Sequence, residues 1–251
     1  MRISHLVRSE STKLLTAPST WVISAATILG TWPQAWSNAA AHTLPPDDPR
    51  LFGEPTPVAY HGFELAGFGY TFVVVLGALW AAAEYGGGQQ IHATLTATPD
   101  RGRVLAVKLS LLALLTALIA VLSMGGAIMI THAATGDGVH PLLLTPQIWA
   151  LLAGLTAAWV LTALIAFALG ILARTAVLPL IVLMPLVIGL GGFLAGIWDV
   201  AAYFPVTAGS ALYTAPGSDV LLDPATGGLV HAAWAAVLVT IASIAFARRD
   251  A

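Results

Sequence analysis

His61, Glu64, His132 and His231 are the side chains to weigh first for chemistry, because an imidazole beside a carboxylate can move a proton, hold a metal or prepare a nucleophile. Their spacing in the chain shows no convergence into such a site. No HExxH, GxSxG or GxGxxG pattern occurs. Gly86-Gly87-Gly88 lacks the Lys and Ser/Thr of a phosphate-binding loop and reads as a flexible turn. Cysteine is absent, which removes disulfides, thiolate metal ligands and cysteine nucleophiles together. The sequence therefore assigns no catalytic, cofactor-binding or metal-ligating residue. The histidines read as neutral polar groups near the ends of apolar stretches.

Those stretches dominate the chain. Of 251 residues, 58% are hydrophobic, and only 10 Lys+Arg and 12 Asp+Glu are present, whereas a soluble domain carries about a quarter of its residues charged. Too few charges exist to clothe a water-exposed surface, so the expected solvent is lipid. The net charge of -2 and pI near 6.3 give no basic field for nucleic acid. Charge at a helix centre costs about 2.5 to 3.5 kcal/mol on insertion, so charge-free intervals mark the spans. They run from Leu14 to Pro46, Leu65 to Ala83, Leu109 to Gly136, Gly138 to Ala173, Thr175 to Trp198 and Pro224 to Ala247. Six transmembrane helices are predicted near 18–38, 63–84, 105–131, 147–173, 176–198 and 228–247.

Six spans put both termini on one side, together with Arg2, Arg8, Lys13, Arg101, Arg103, Lys108, Arg174, Arg248 and Arg249; only Arg50 falls on the other. The positive-inside rule then predicts cytoplasmic termini and outer loops at 39–62, 132–146 and 199–227, which hold Asp47, Asp48, Glu54, Asp137, Asp199, Asp219 and Asp223. A competing expectation is a secretory signal peptide, with Arg2 to Lys13 as its basic region and Ala39-Ala40-Ala41 as its cleavage site. Trp21, Trp80, Trp149 and Trp198, near span ends, are expected to form an interfacial belt. Gly192 and Gly196 are expected to permit close helix packing, as are the alanines of spans four and six. Ion-driven transporters and intramembrane enzymes need ionisable groups in the bilayer. Few are available here, which disfavours an ion-coupled secondary transporter and an intramembrane hydrolase using His132 or His231 with Glu64.

Two segments on the inner side carry more information. Residues 1–16 are predicted to form an interfacial helix, with Ile3, Leu6, Val7 and Leu14 on one face and Arg2, Arg8 and Lys13 largely off it. In the inner loop 84–104, Ile91 and Leu95 at i and i+4 give a short helix an apolar edge, and Pro99 closes it. Arg101 and Arg103 follow, placed to meet acidic groups or anionic lipid, while Glu84 either caps the loop or pairs with one of these arginines.

With these residues in place the chain resembles the permease subunits of ABC-2-type transporters, especially those of high-G+C Gram-positive bacteria. The resemblance rests on Ser9-Glu10-Ser11-Thr12-Lys13 with Thr20-Trp21, on Glu84-Tyr85, on Leu95-Thr96-Ala97-Thr98-Pro99-Asp100-Arg101-Gly102-Arg103, and on Lys108. It implies an all-α polytopic membrane protein: an elbow helix (1–16), then one six-helix permease domain (17–251) with a short re-entrant outer segment between helices five and six. It implies a coupling loop in which Glu84, Ile91, Leu95, Thr98, Pro99, Arg101 and Arg103 meet a separate soluble ATPase, present in two copies, with ATP and Mg held by that partner and none in this chain. It also implies a second permease copy or paralogue, outward transport, and residence in the bacterial plasma membrane. Tyr203, Phe204 and Pro205 are expected to form an outer lid. The Gly86-Gly87-Gly88-Gln89-Gln90 run departs from the family's usual segment in being more flexible and less charged.

Overall fold

The computed structural model describes residues 3–45, 48, 56–85, 100–215 and 222–248, which are helices and their connections with no β-strand among them. The predicted coupling residues Ile91, Leu95, Thr98 and Pro99 lie outside the described residues. Helix α1 (Ile3–Thr16) is followed by α2 (Pro18–Ala39). Pro18 occupies the first turn of α2, where a missing N–H costs nothing, and Ala17 before it is extended. The two axes consequently bend by 65°.

Short 3-10 turns at Val58–Tyr60 and Phe63–Leu65 lead into α3 (Ala66–Ala82). Helix α4 (Arg101–Thr135) starts where the Asp100 carboxylate accepts the Arg103 backbone N–H at 3.1 Å, and stops at Gly136, whose φ of 63° is left-handed. Helix α5 (Pro146–Ala173) is capped by the Thr145 hydroxyl and led by Pro146. The fifth span is broken: α6 (Val177–Pro185) passes through a π turn at Leu186–Leu190, with Gly189 at φ 125°, into α7 (Gly191–Ala195). A 3-10 turn (Asp199–Tyr203), α8 (Pro205–Ser210) and α9 (Pro224–Arg248) complete the chain.

Five of these segments are long and apolar enough to cross a membrane, and six if the bent α1–α2 pair counts as one. Among the described residues the protein is therefore all-helical, with the character of a multi-pass membrane protein. Helix α5 is its centre, packed against α3, α4 and α9. Backbones approach closely there because small residues face large or polar neighbours. Gly77 of α3 sits against the Ala163 carbonyl, and Gly69 lies against the Trp159 indole, which is itself edge-on to Tyr70 at 6.0 Å. Within this chain the expected close step at Gly192 is not where packing occurs, since that glycine faces open space; the alternative of a seam with a second copy is untouched by that.

Contacts sort the charges by end. Arg101 donates to the carbonyl of Phe246 near the end of α9 (3.2 Å), Arg174 lies over the Tyr85 ring at 5.8 Å, and Lys108 meets Glu84 and Glu10. These groups share one end of the bundle. The opposite end gathers His42, His61, Glu64, His132 and Asp137. The five-residue turn Asp199–Tyr203 and six-residue α8 are too short to cross, and they fold back against α9, α5 and α7.

Candidate functional site

Lys108 lies two turns into α4. At 1.5 Å per residue, the 35 residues of that helix span about 50 Å against a hydrocarbon core of about 30 Å, so its ends reach beyond the core. Its ammonium is fully buried. It donates to Glu10 of α1 and, at 2.6 Å, to Glu84 just past the end of α3. Trp80 closes one side with its ring centroid 4.9 Å from the ammonium. Lys13 donates to the other oxygen of Glu10 at 2.8 Å. Burial pushes the Glu10 carboxyl up, but the Lys108 and Lys13 ammoniums hold it below its ordinary value. A buried ammonium between two carboxylates is tolerated because each charge has a partner. A cleft of about 250 Å³, lined among others by Thr16, Thr20, Trp80 and Glu84, opens beside the knot. Glu84 Oε2 and Trp80 Nε1 have no hydrogen-bond partner among the described residues.

Several expectations change here. Glu84 pairs with Lys108 rather than with an arginine or as a cap; Arg103 instead meets Asp100 at 2.8 Å, exposed at the helix start. Trp80 is buried under Lys108 and is not a belt residue, whereas Trp21, Trp149 and Trp198 are exposed. The inward face of α1 is Leu6, Glu10 and Leu14, while Ile3 and Val7 point away from the protein. Sequence reasoning missed Glu10 because a carboxylate was not expected on an apolar line. The signal was its i, i+4, i+8 register with Leu6 and Leu14.

Around the expected outer lid, Pro205 is buried, Phe204 partly so, and Tyr203 about half exposed, its carbonyl accepting from the Trp234 indole at 2.8 Å. His231 is not interfacial: it is buried, 3.1 Å from the Thr162 hydroxyl, which donates to Tyr70 at 3.3 Å, and its ring rests on Gly209, where no side chain would fit. Glu64 bonds His42 at 2.9 Å, His132 bonds Asp137 and His231 bonds Thr162, so the hydrolytic combination of Glu64 with either histidine is not assembled.

At the opposite end His61 and His132 converge, which their spacing did not show. Both rings turn Nδ1 to the same oxygen of Asp137, at 2.8 and 2.7 Å. The other Asp137 oxygen accepts the Val139 N–H at 3.2 Å. Burial pushes this carboxyl up, but the two imidazoles and the backbone donor hold it below its usual range. His42 stacks on His61 with centroids 4.0 Å apart.

No protein-family model and no curated protein matches this chain.

Proposed function

We propose that this chain is the permease subunit of an ABC-2-type, ATP-driven exporter in a bacterial plasma membrane, with both termini cytoplasmic. It forms the substrate path, while two copies of a soluble ATPase bind ATP and Mg and carry out hydrolysis. One observation carries the reading: Glu10, Glu84 and Lys108, three residues on which the resemblance rests, form one buried ionic knot. That knot ties the elbow helix to both flanks of the inner loop, the end of α3 and the start of α4. A push delivered to the loop by a docked ATPase then moves α1, α3 and α4 together instead of being lost in a slack connection. The apolar outward faces of α6, α7 and α9 suit lipid and a second permease copy. Tyr203, Phe204 and Pro205 would close the path at the outer end.

Leu95 tests the reading, because docking depends on shape and topology on charge. Leu95→Asp is expected to abolish co-purification of the ATPase and ATP-driven export while leaving the spans in place. Intact assembly and transport in that variant would overturn it, as would ATP turnover by the isolated chain. A second reading, an ion-coupled secondary transporter, draws on the buried Tyr70–Thr162–His231 chain, which sets an imidazole inside the bundle. On that reading transport persists without any ATPase and stops when the proton gradient is collapsed.

A further inference from the structure

The hydrogen bonds of His61 do not close with a neutral ring. Its Nδ1 faces an Asp137 oxygen at 2.8 Å and its Nε2 faces the Thr56 carbonyl at 3.1 Å, so both nitrogens look at acceptors. A neutral imidazole carries one N–H and can serve only one of them. His132 presents its Nδ1 to the same Asp137 oxygen, is itself buried, and has no partner for Nε2 among the described residues. The two acceptors facing His61 call for a cation where His61, His132 and Asp137 meet; the orphaned Nε2 of His132 is not explained by it.

We propose that His61, His132 and Asp137 form a divalent-cation site of the zinc type at the end of the bundle opposite the Lys108 knot. Three observations carry it. The three ligand atoms lie within 4.8 Å of one another; a tetrahedral zinc with bonds of about 2.0–2.2 Å sets its ligands about 3.3–3.5 Å apart, so each N···O contact opens by about half an ångström and the two Nδ1 atoms adjust to the same spacing. With the metal on Nδ1, the remaining N–H of His61 donates to the Thr56 carbonyl, the outer-sphere bond that fixes the tautomer of a ligating histidine. The free oxygen of Asp137 is likewise oriented by the Val139 N–H. Asp137 brings one negative charge to the site, and Glu64, bonded to the His42 ring that stacks on His61, adds a second nearby. Imidazole with carboxylate favours zinc over calcium or magnesium, which prefer all-oxygen shells.

The loop is built to present the third ligand. Asp137 stands between Gly136 and Gly138, whose φ of 63° and 88° fold the chain back on the last turn of α4, where His132 lies. Gly62, at φ 90°, turns His61 toward the same point from the entrance to α3. The ion would staple the start of α3 to the end of α4, with a fourth position left for water or another ligand. The site does not depend on the exporter reading.

The test uses the full chain, purified through a histidine-free tag, stripped with chelator and titrated with Zn²⁺ and Co²⁺. One Zn²⁺ per chain is expected, with a tetrahedral Co²⁺ absorption band and X-ray absorption showing two imidazole nitrogens on the bound zinc. His132→Gln and Asp137→Asn are expected to weaken binding beyond the roughly 10- to 100-fold that loss of an outer-shell partner costs. His231→Gln is expected to leave it unchanged. Zn²⁺ should also raise the unfolding temperature of the wild type and not of the two site variants. Folded wild-type chain that takes up no Zn²⁺, or a zinc spectrum without histidine, overturns the proposal whatever the variants do. Equal affinity in wild type and both variants overturns it too.

Discussion

Lys108 shows how a single buried charge sets the behaviour of its surroundings. Its removal leaves Glu84 buried without a counter-charge and leaves Glu10 with Lys13 alone. Breaking a buried pair in this way costs about 3–5 kcal/mol, whereas replacing all the partners by well-packed apolar groups of similar size is often close to neutral. Lys108→Met is therefore expected to lower the detergent-phase unfolding temperature sharply, and the triple change Lys108→Met with Glu10→Met and Glu84→Met to recover most of the loss; tryptophan-fluorescence melts read both. Glu10 adds a pH dependence. Its folded-state value lies below the ordinary one, so its contribution is present above the unfolded carboxylate pKa of about 4.3 and is lost as pH falls through the lower folded value. The wild type should lose melting temperature on acidification through that window, and Glu10→Gln should lose less.

At the scale of elements, the contact between α3 and α5 depends on glycine rather than on bulky knobs. A Cβ added at Gly77 would collide with the Ala163 carbonyl, a backbone atom that cannot swing away. Gly77→Ala is expected to cost about 1–3 kcal/mol, the range for overpacking, despite alanine's better helix propensity. Gly192 provides the matched control, because a Cβ there meets nothing within 4 Å. Gly192→Ala in α7 should be neutral or should raise the melting temperature. Equal losses from the two substitutions would mean that the α3–α5 contact is not the tight one. The broken fifth span has its own local cause: Pro185 removes a backbone donor, and Gly189 adopts a φ of 125° that residues with a side chain rarely take.

For the whole molecule, the sorting of basic groups to one end and the histidine–carboxylate cluster to the other gives the bundle a polarity that single-cysteine labelling can orient in the cell. The natural absence of cysteine makes every introduced thiol unique. Leu142 lies exposed in the loop after the histidine cluster, and Gly102 lies exposed at the start of α4. An impermeant thiol reagent added to intact cells should modify Leu142→Cys and spare Gly102→Cys until the membrane is opened. Labelling of Gly102→Cys from outside would reverse the orientation.

Sequence alone determined the properties that depend on composition and on distance along the chain. Charge-free intervals long enough to cross a bilayer marked where the helices run, because the penalty for a charge at a helix centre acts on each segment separately. Pro18 and Gly136 stand at helix ends for equally local reasons, although the charge intervals alone place the end of the third span near 131. The tertiary structure decided which polar groups meet. Glu10, Glu84 and Lys108 are separated by at least 24 positions, and His61 and Asp137 by 76, so no periodicity connects them. Trp80 read as one of four interfacial tryptophans until Lys108 of α4 was placed over it. Burial of a charge is affordable only with its partner present, and a partner contributed by another helix becomes visible only when the helices are assembled.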